Sequence, residues 1–290
     1  MKNKIKFFTI VIIMLLTLSG CASESNKSVM TAYTSVYPVE YIMDNLYGDN
    51  VAIYSIYPDG INYKNYKLTD KQLSDYSKGD LFVYNGTIKK EKDYAVNLIN
   101  KNKKIKIIDA SKGMSYTSGV AESWLNPANY LMMASNVKKG LEEYISENIE
   151  KKKIDDNYET LKLNLSLIDA ELKSVANNAN NKTIVVSDDV FKYLEKYGFT
   201  VISLEENENL TDKVISDVRK LISNKSINYI FIKDNEEENN TIKTLKNTYN
   251  IQTISLNSLA TLSASDRKDK KDYISIMMDN INSIKLEVNK

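Results

Sequence analysis

The chain contains no histidine, and its single cysteine is Cys21. Without imidazole there is no conventional Ser-His-Asp arrangement and no neutral-pH general base, and no Gly-rich phosphate loop occurs. The adjacent acids Asp188 and Asp189 could in principle move protons. However, neighbours at a strand end point to opposite faces and cannot flank one scissile bond. An enzyme is therefore not expected, and the chemistry left is capture by charge and shape. The stretch GINYKNYKLT, residues 60–69, lies between two apolar runs and has the layout of an ion-gripping loop, yet it carries Lys64 between Tyr63 and Tyr66. Those tyrosines could line an aromatic pocket, although tyrosine is abundant throughout the chain. Trp124, the only tryptophan, reads as packing between domains or as a ligand platform. Asp188 reads as a helix cap or a cleft acid, Glu122 as a loop carboxylate or a cleft group, and the run from Asp234 to Glu238 as a solvated loop.

The elements that must position these residues follow from the hydrophobic periodicity. Residues 29–34 read as a strand, Pro38 to Leu46 as a helix with proline in its first turn, and Val51 to Ile56 as a second strand. Thr69 caps a short helix, LFVYNG is a buried strand, Lys89 to Asn100 a helix and KIKIID a strand. From Asn126 and Pro127 the texture changes to two long helices. The alternation then resumes with KTIVVSD, the helix DVFKYLEKY stopped by Gly198, FTVISL, a helix after NLT, INYIFIKD, a further helix, IQTISL and a last helix from Lys271 to Leu286. Strand and helix in alternation imply parallel sheets covered on both faces. The expected fold is α/β, with two sheet-containing lobes joined by a long helical backbone and a cleft at the strand C-terminal ends.

The expected division is a signal peptide over 1–20, a tether over 21–28, an N-terminal lobe over 29–126, a helical linker over 127–180 and a C-terminal lobe over 181–290. Lys2, Lys4 and Lys6 precede an apolar run ending in LSGC, the form of a bacterial lipoprotein signal with Cys21 as the acylated residue. Such a chain sits, lipid-anchored and monomeric, on the extracytoplasmic face of a cell membrane. Removing residues 1–20 leaves 36 basic against 38 acidic residues. That near-neutral balance offers no electrostatic footprint for nucleic acid.

Five segments in order resemble the solute-binding proteins of zinc and manganese ABC importers, the cluster A-I metal-binding lipoproteins. They are TSVYPVEYIMDNLYGDNVAIYSIYPDG, DLFVYNG, SWLNP, IVVSDDVFKYLEKYGF and DYISIMMDNINSIK. The resemblance implies capture of a metal ion between two lobes and its delivery to a permease and ATPase. It also implies four ligand positions at strand mouths. Aligned with the family, the first histidine falls on Lys64 and the next aspartate on Asn65; the second histidine falls on Glu122, the third on Asp188, and the last ligand on Asn257 or Ser258. Every one of these residues differs from the family's own. An oxygen set of this kind suits magnesium, calcium or manganese better than zinc. Lys64 opposes any cation: at ~4 Å, repulsion from a dication amounts to about 8 kcal/mol at an effective dielectric of about 20. The expectation is that the Lys64 ammonium takes the charge role of the metal, paired with Glu122 and Asp188 and supported by Asn65, Ser187 and Asn257. Two alternatives remain: a non-transport surface lipoprotein such as an adhesin, and a binder of a small organic solute.

Overall fold

A computed structural model describes residues 30–114 and 122–289. Cys21, the signal segment and the tether lie outside the described residues. Two four-stranded parallel sheets are built in the same way. β1 (Met30–Thr34), β2 (Val51–Ser55), β3 (Leu81–Tyr84) and β4 (Lys106–Asp109) lie in the order β2-β1-β3-β4. β5 (Thr183–Val186), β6 (Thr200–Ser203), β7 (Tyr229–Lys233) and β8 (Gln252–Leu256) lie in the order β6-β5-β7-β8. In each sheet the chain moves first to one side of its founding strand and then to the other, so a crevice opens between β1 and β3 and another between β5 and β7.

Helices α1 (Tyr37–Tyr47), α2 (Asp70–Tyr76) and α3 (Lys89–Lys101) serve the first sheet. Pro38 occupies the start of α1, where no N–H is needed, and Thr69 opens α2 through a capping box with Gln72. α4 (Pro127–Tyr144) and α5 (Asn148–Asn178) follow, then α6 (Asp212–Ser223), α7 (Asn240–Tyr249), α8 (Ala264–Lys268) and α9 (Tyr273–Val288). α5 buries Leu161, Leu165, Ile168 and Leu172 at helical spacing and packs against α1, α4 and α9, so it touches both halves. Among the described residues no helix is long and apolar enough to cross a membrane.

Two local features differ from the sequence expectation. Asp189–Tyr197 is a 3-10 helix rather than an α-helix, with Gly198 ending it at a φ of 95°, a left-handed conformation that glycine adopts without Cβ strain. The short α8, opened by a Ser263–Asp266 capping box, falls in a stretch to which the sequence reading assigns no element. One hydrophobic core runs from Ala32 through Trp124 and Leu161 to Val288, joining the lobes. A smaller cluster around Val218 and Leu245 fastens α6 and α7 to the second sheet.

Candidate functional site between the lobes

Loop 60–69 is fixed at both ends and in its middle. Gly60, at a φ of 71°, turns its N–H onto the Leu262 carbonyl at 2.7 Å, and Thr261 Oγ1 donates to the Ile61 carbonyl at 3.0 Å. Asn62 Oδ1 accepts from the Lys64 N–H at 2.9 Å in a tight side-chain turn. From below, the Lys90 ammonium of α3 donates to the carbonyls of Tyr63, Lys64 (3.2 Å) and Tyr66 (3.1 Å) and faces the Tyr57 and Tyr63 rings at 5.5 and 5.6 Å. The result holds Lys64 over the mouth of the cleft, where its side chain is 44% exposed.

Glu122 approaches from the other side of the same lobe, immediately before the 3-10 turn Ser123–Leu125 that buries Trp124. The Trp124 indole donates to the Ser258 carbonyl at 2.8 Å and stands edge-on to Tyr63 at 6.4 Å, while the Tyr273 hydroxyl donates to the Trp124 carbonyl at 2.6 Å. Trp124 is thus a structural pin between the lobes.

The second sheet supplies Asp188, two residues beyond β5, and Lys233, the last residue of β7, so both stand at the crevice between those strands. Lys233 Nζ lies 2.7 Å from Glu122 Oε1, 3.2 Å from Asp188 Oδ2 and 3.1 Å from Glu236 Oε1. Its side chain is 3% exposed and that of Glu122 is 4% exposed. Lys64 Nζ lies 3.3 Å from both Glu122 Oε1 and Glu236 Oε1. Two ammoniums therefore face three carboxylates, leaving one negative charge in excess.

Burial alone would drive the Lys233 ammonium to give up its proton, but the charges of Glu122 and Asp188 outweigh it and hold the amine protonated far above its ordinary range. Burial likewise pushes the Glu122 carboxyl up, and Lys233 and Lys64 together more than offset it, so Glu122 stays below its usual value. On the solvent side a cavity of ≈ 200 Å³ is lined by Lys64, Asp188, Glu205, Glu206 and Lys233 among others.

The structure thus brings Lys64, Glu122 and Asp188 to one crevice, but the expected pairing of Lys64 with Asp188 is not formed: Lys64 pairs with Glu122 and Glu236, and Lys233 takes Asp188. Asp188 performs both roles weighed for it: Oδ1 caps the following turn by accepting from the Val190 N–H at 2.8 Å, and Oδ2 meets Lys233. Asp189 faces away, toward Lys192 and Asn207. Ser187 Oγ accepts from the Lys233 N–H at 2.9 Å and sets the strand end. Asn65 is exposed on the loop rim. Asn257 does not join the cluster, because its Oδ1 accepts from the Leu259 N–H at 2.7 Å and its backbone is bonded to Asn280. Ser258 contributes its carbonyl to Trp124 and its N–H to Asp234 Oδ1 at 2.7 Å.

Lys233 and Glu236 were not anticipated. Lys233 shares the face of Phe231, two residues earlier in a strand otherwise apolar, and is buried with it. The acidic run, expected to be solvated, divides instead: Asp234 is turned inward to Ser258, Glu236 joins the two lysines, and Glu238 pairs with Lys246 at 2.6 Å. Among the described residues no group of three or more histidine, cysteine, aspartate or glutamate side chains is arranged to hold a metal ion. Instead, an ammonium occupies the point on which the carboxylates converge.

The family described as the periplasmic component A of the zinc-uptake complex, ZnuA, matches residues 33–286. The metal ABC transporter substrate-binding lipoprotein SsaB of Streptococcus sanguinis is 27% identical over 245 residues, covering 76% of this chain and 78% of its own. The manganese ABC transporter substrate-binding lipoprotein PsaA of Streptococcus pneumoniae is 29% identical over 197 residues, covering 62% of this chain and 63% of its own. In fold, the Zn(II)-bound ZnuA-like domain of Streptococcus pneumoniae AdcA superposes with a TM-score of 0.74 at 21% identity, over 90% of this chain and 99% of that domain. The laminin-binding protein Lmb of Streptococcus agalactiae, described as bifunctional with adhesin and metal-transporting activity, gives 0.73 at 16%, over 89% and 99%.

Proposed function

Because this chain belongs to the family of ZnuA-type zinc-uptake components, we propose that it is the lipid-anchored, extracytoplasmic substrate-binding component of an ABC importer of the zinc and manganese class, working with its own permease and ATPase and carrying an altered cleft site. Cys21 is the acylated residue of this reading. One observation carries it: residues from loop 60–69, from the approach to α4 and from the mouths of β5 and β7 meet in a single charged crevice at the lobe junction. That is where an open α/β sheet presents a ligand. No catalytic role accompanies this arrangement. The Glu122, Asp188 and Glu236 carboxylates at its centre are tied to ammoniums.

The test is co-purification. The full-length lipoprotein, affinity-tagged and extracted from its native membrane in mild detergent, should bring down a permease and an ATPase of one importer. Recovery of the lipoprotein with neither, under conditions that preserve other importer complexes, would sink this reading and favour a free-standing surface protein.

A further inference from the structure

We infer that Lys233 is the built-in cation of this site. Its ammonium takes the place of a cargo ion, excludes divalent cations and ties the lobes together without any cargo. The inference rests on reading the crevice as the importer's substrate site and names the residue that decides what that site accepts. Three carboxylate oxygens, from Glu122, Asp188 and Glu236, surround Lys233 Nζ at 2.7, 3.2 and 3.1 Å. Glu122 comes from the first lobe and the other two from the second, so one ammonium bridges both. A calcium ion seated at the same point would need those oxygens closer, at about 2.3–2.6 Å. With Lys233 in place these side chains are not arranged to hold a metal ion, but their charge and their convergence suit a cation, and the chain supplies one from its own strand β7.

Lys64 alone could not do this. It lies on the solvent side, reaches Glu122 and Glu236 but makes no ion pair with Asp188, and remains 44% exposed. Lys233 is anchored from below, since its own N–H donates to Ser187 Oγ and its strand pairs with β5 and β8. The side chain therefore enters the cluster from a fixed backbone and cannot swing out to admit an ion without breaking three ion pairs. A divalent ion entering beside it would meet a full positive charge in a poorly screened interior.

The experiment titrates manganese, calcium and zinc chlorides into purified soluble protein, residues 22–290, by calorimetry, comparing the wild type with Lys233→Gln and Lys233→Ala. Wild type should bind none of the three below the millimolar range. The variants, which leave three carboxylates converging on a vacated point, should bind manganese or calcium at least a hundredfold more tightly. Micromolar binding by the wild type overturns the inference, and so do folded variants that bind no better than wild type. A variant that unfolds without metal is tested by adding manganese: recovery of a cooperative thermal transition supports the inference and continued unfolding overturns it. The permease plays no part in these titrations, so their failure leaves the importer reading intact, and a failed co-purification leaves the titration result intact.

Discussion

Lys233 Nζ and Glu122 Oε1 lie 2.7 Å apart with both side chains almost wholly withdrawn from water, one at the end of a strand in the second lobe and the other on a turn in the first. Such a pair offsets the desolvation of its members only while both are present, and removing Lys233 leaves the buried Glu122 with only the more exposed Lys64, at 3.3 Å, and takes from Asp188 its ammonium. Lys233→Met should therefore destabilise the protein by about 3–5 kcal/mol, read from the shift in urea midpoint. Lys64→Met, at a far more exposed position, should cost under about 1 kcal/mol. Equal effects of the two substitutions would mean that the site is not organised around Lys233.

Glu91 gives a pH dependence of opposite sign to Glu122. It is fully buried behind β1 and β3, with Oε2 accepting from the Asn85 N–H at 3.0 Å, and burial lifts its carboxyl from an ordinary 4.5 to about 7. The folded state thus binds a proton that the unfolded state has already released. Stability therefore falls as pH rises from about 4.5 to about 7 and levels off above that, by up to about 3 kcal/mol. Glu122, held below its usual value, stabilises above the unfolded value, and that contribution is lost as pH falls through its folded one. Glu91→Gln should flatten the fall between pH 4.5 and 7 in urea titrations while leaving the acid limb in place. A wild-type stability that is constant across that interval would contradict the burial argument.

Lys90 is expected to govern the order of loop 60–69, since three of the loop's carbonyls converge on its ammonium. Lys90→Met keeps the stem but leaves those carbonyls to water. Amide hydrogen exchange across residues 62–67 should quicken by tenfold or more, corresponding to about 1.4 kcal/mol of local opening, with exchange in β5 and β7 unchanged. Uniform acceleration through the whole chain would instead indicate global destabilisation.

Arg267 clips the far side of the lobe junction. Its Nε faces Asp59 Oδ1 at 2.9 Å, its Nη1 and Nη2 face the two Glu40 oxygens at 2.8 and 3.1 Å, and the guanidinium lies over the Tyr37 ring. Lysine cannot reproduce that planar fork. Arg267→Lys and Arg267→Ala should lose similar stability, about 1 kcal/mol each, and the loss should shrink in 1 M salt. Full retention of stability by the lysine variant would reduce the contact to plain charge pairing.

The sequence conveys the scaffold well because periodicity and caps are local. Thr69, Pro38, Gly198 and the β-branched strands announce themselves within a few residues. The three residues that meet in the crevice, Lys64, Glu122 and Asp188, are found from the resemblance, since 124 positions separate the outer two and no periodicity connects them. Lys233 escapes both routes. It ends a strand where a lysine ordinarily reaches solvent, and only the pairing of β7 between β5 and β8 closes the interior around it. Asn257 shows the converse: its position aligns with a ligand, yet the short reach of its amide is taken up by its own turn.

Helix α5, 31 residues and about 46 Å long at ~1.5 Å per residue, runs alongside elements of both lobes as an unbroken rod. A chassis of that length sets the spacing of the two halves independently of the ion pairs in the crevice, so the wild type and the Lys233 variants should present nearly the same silhouette. On the importer reading, a permease docking against this protein would then sense the mouth itself, through the posture of loop 60–69 and the sign of the charge beneath it, rather than the width of a jaw.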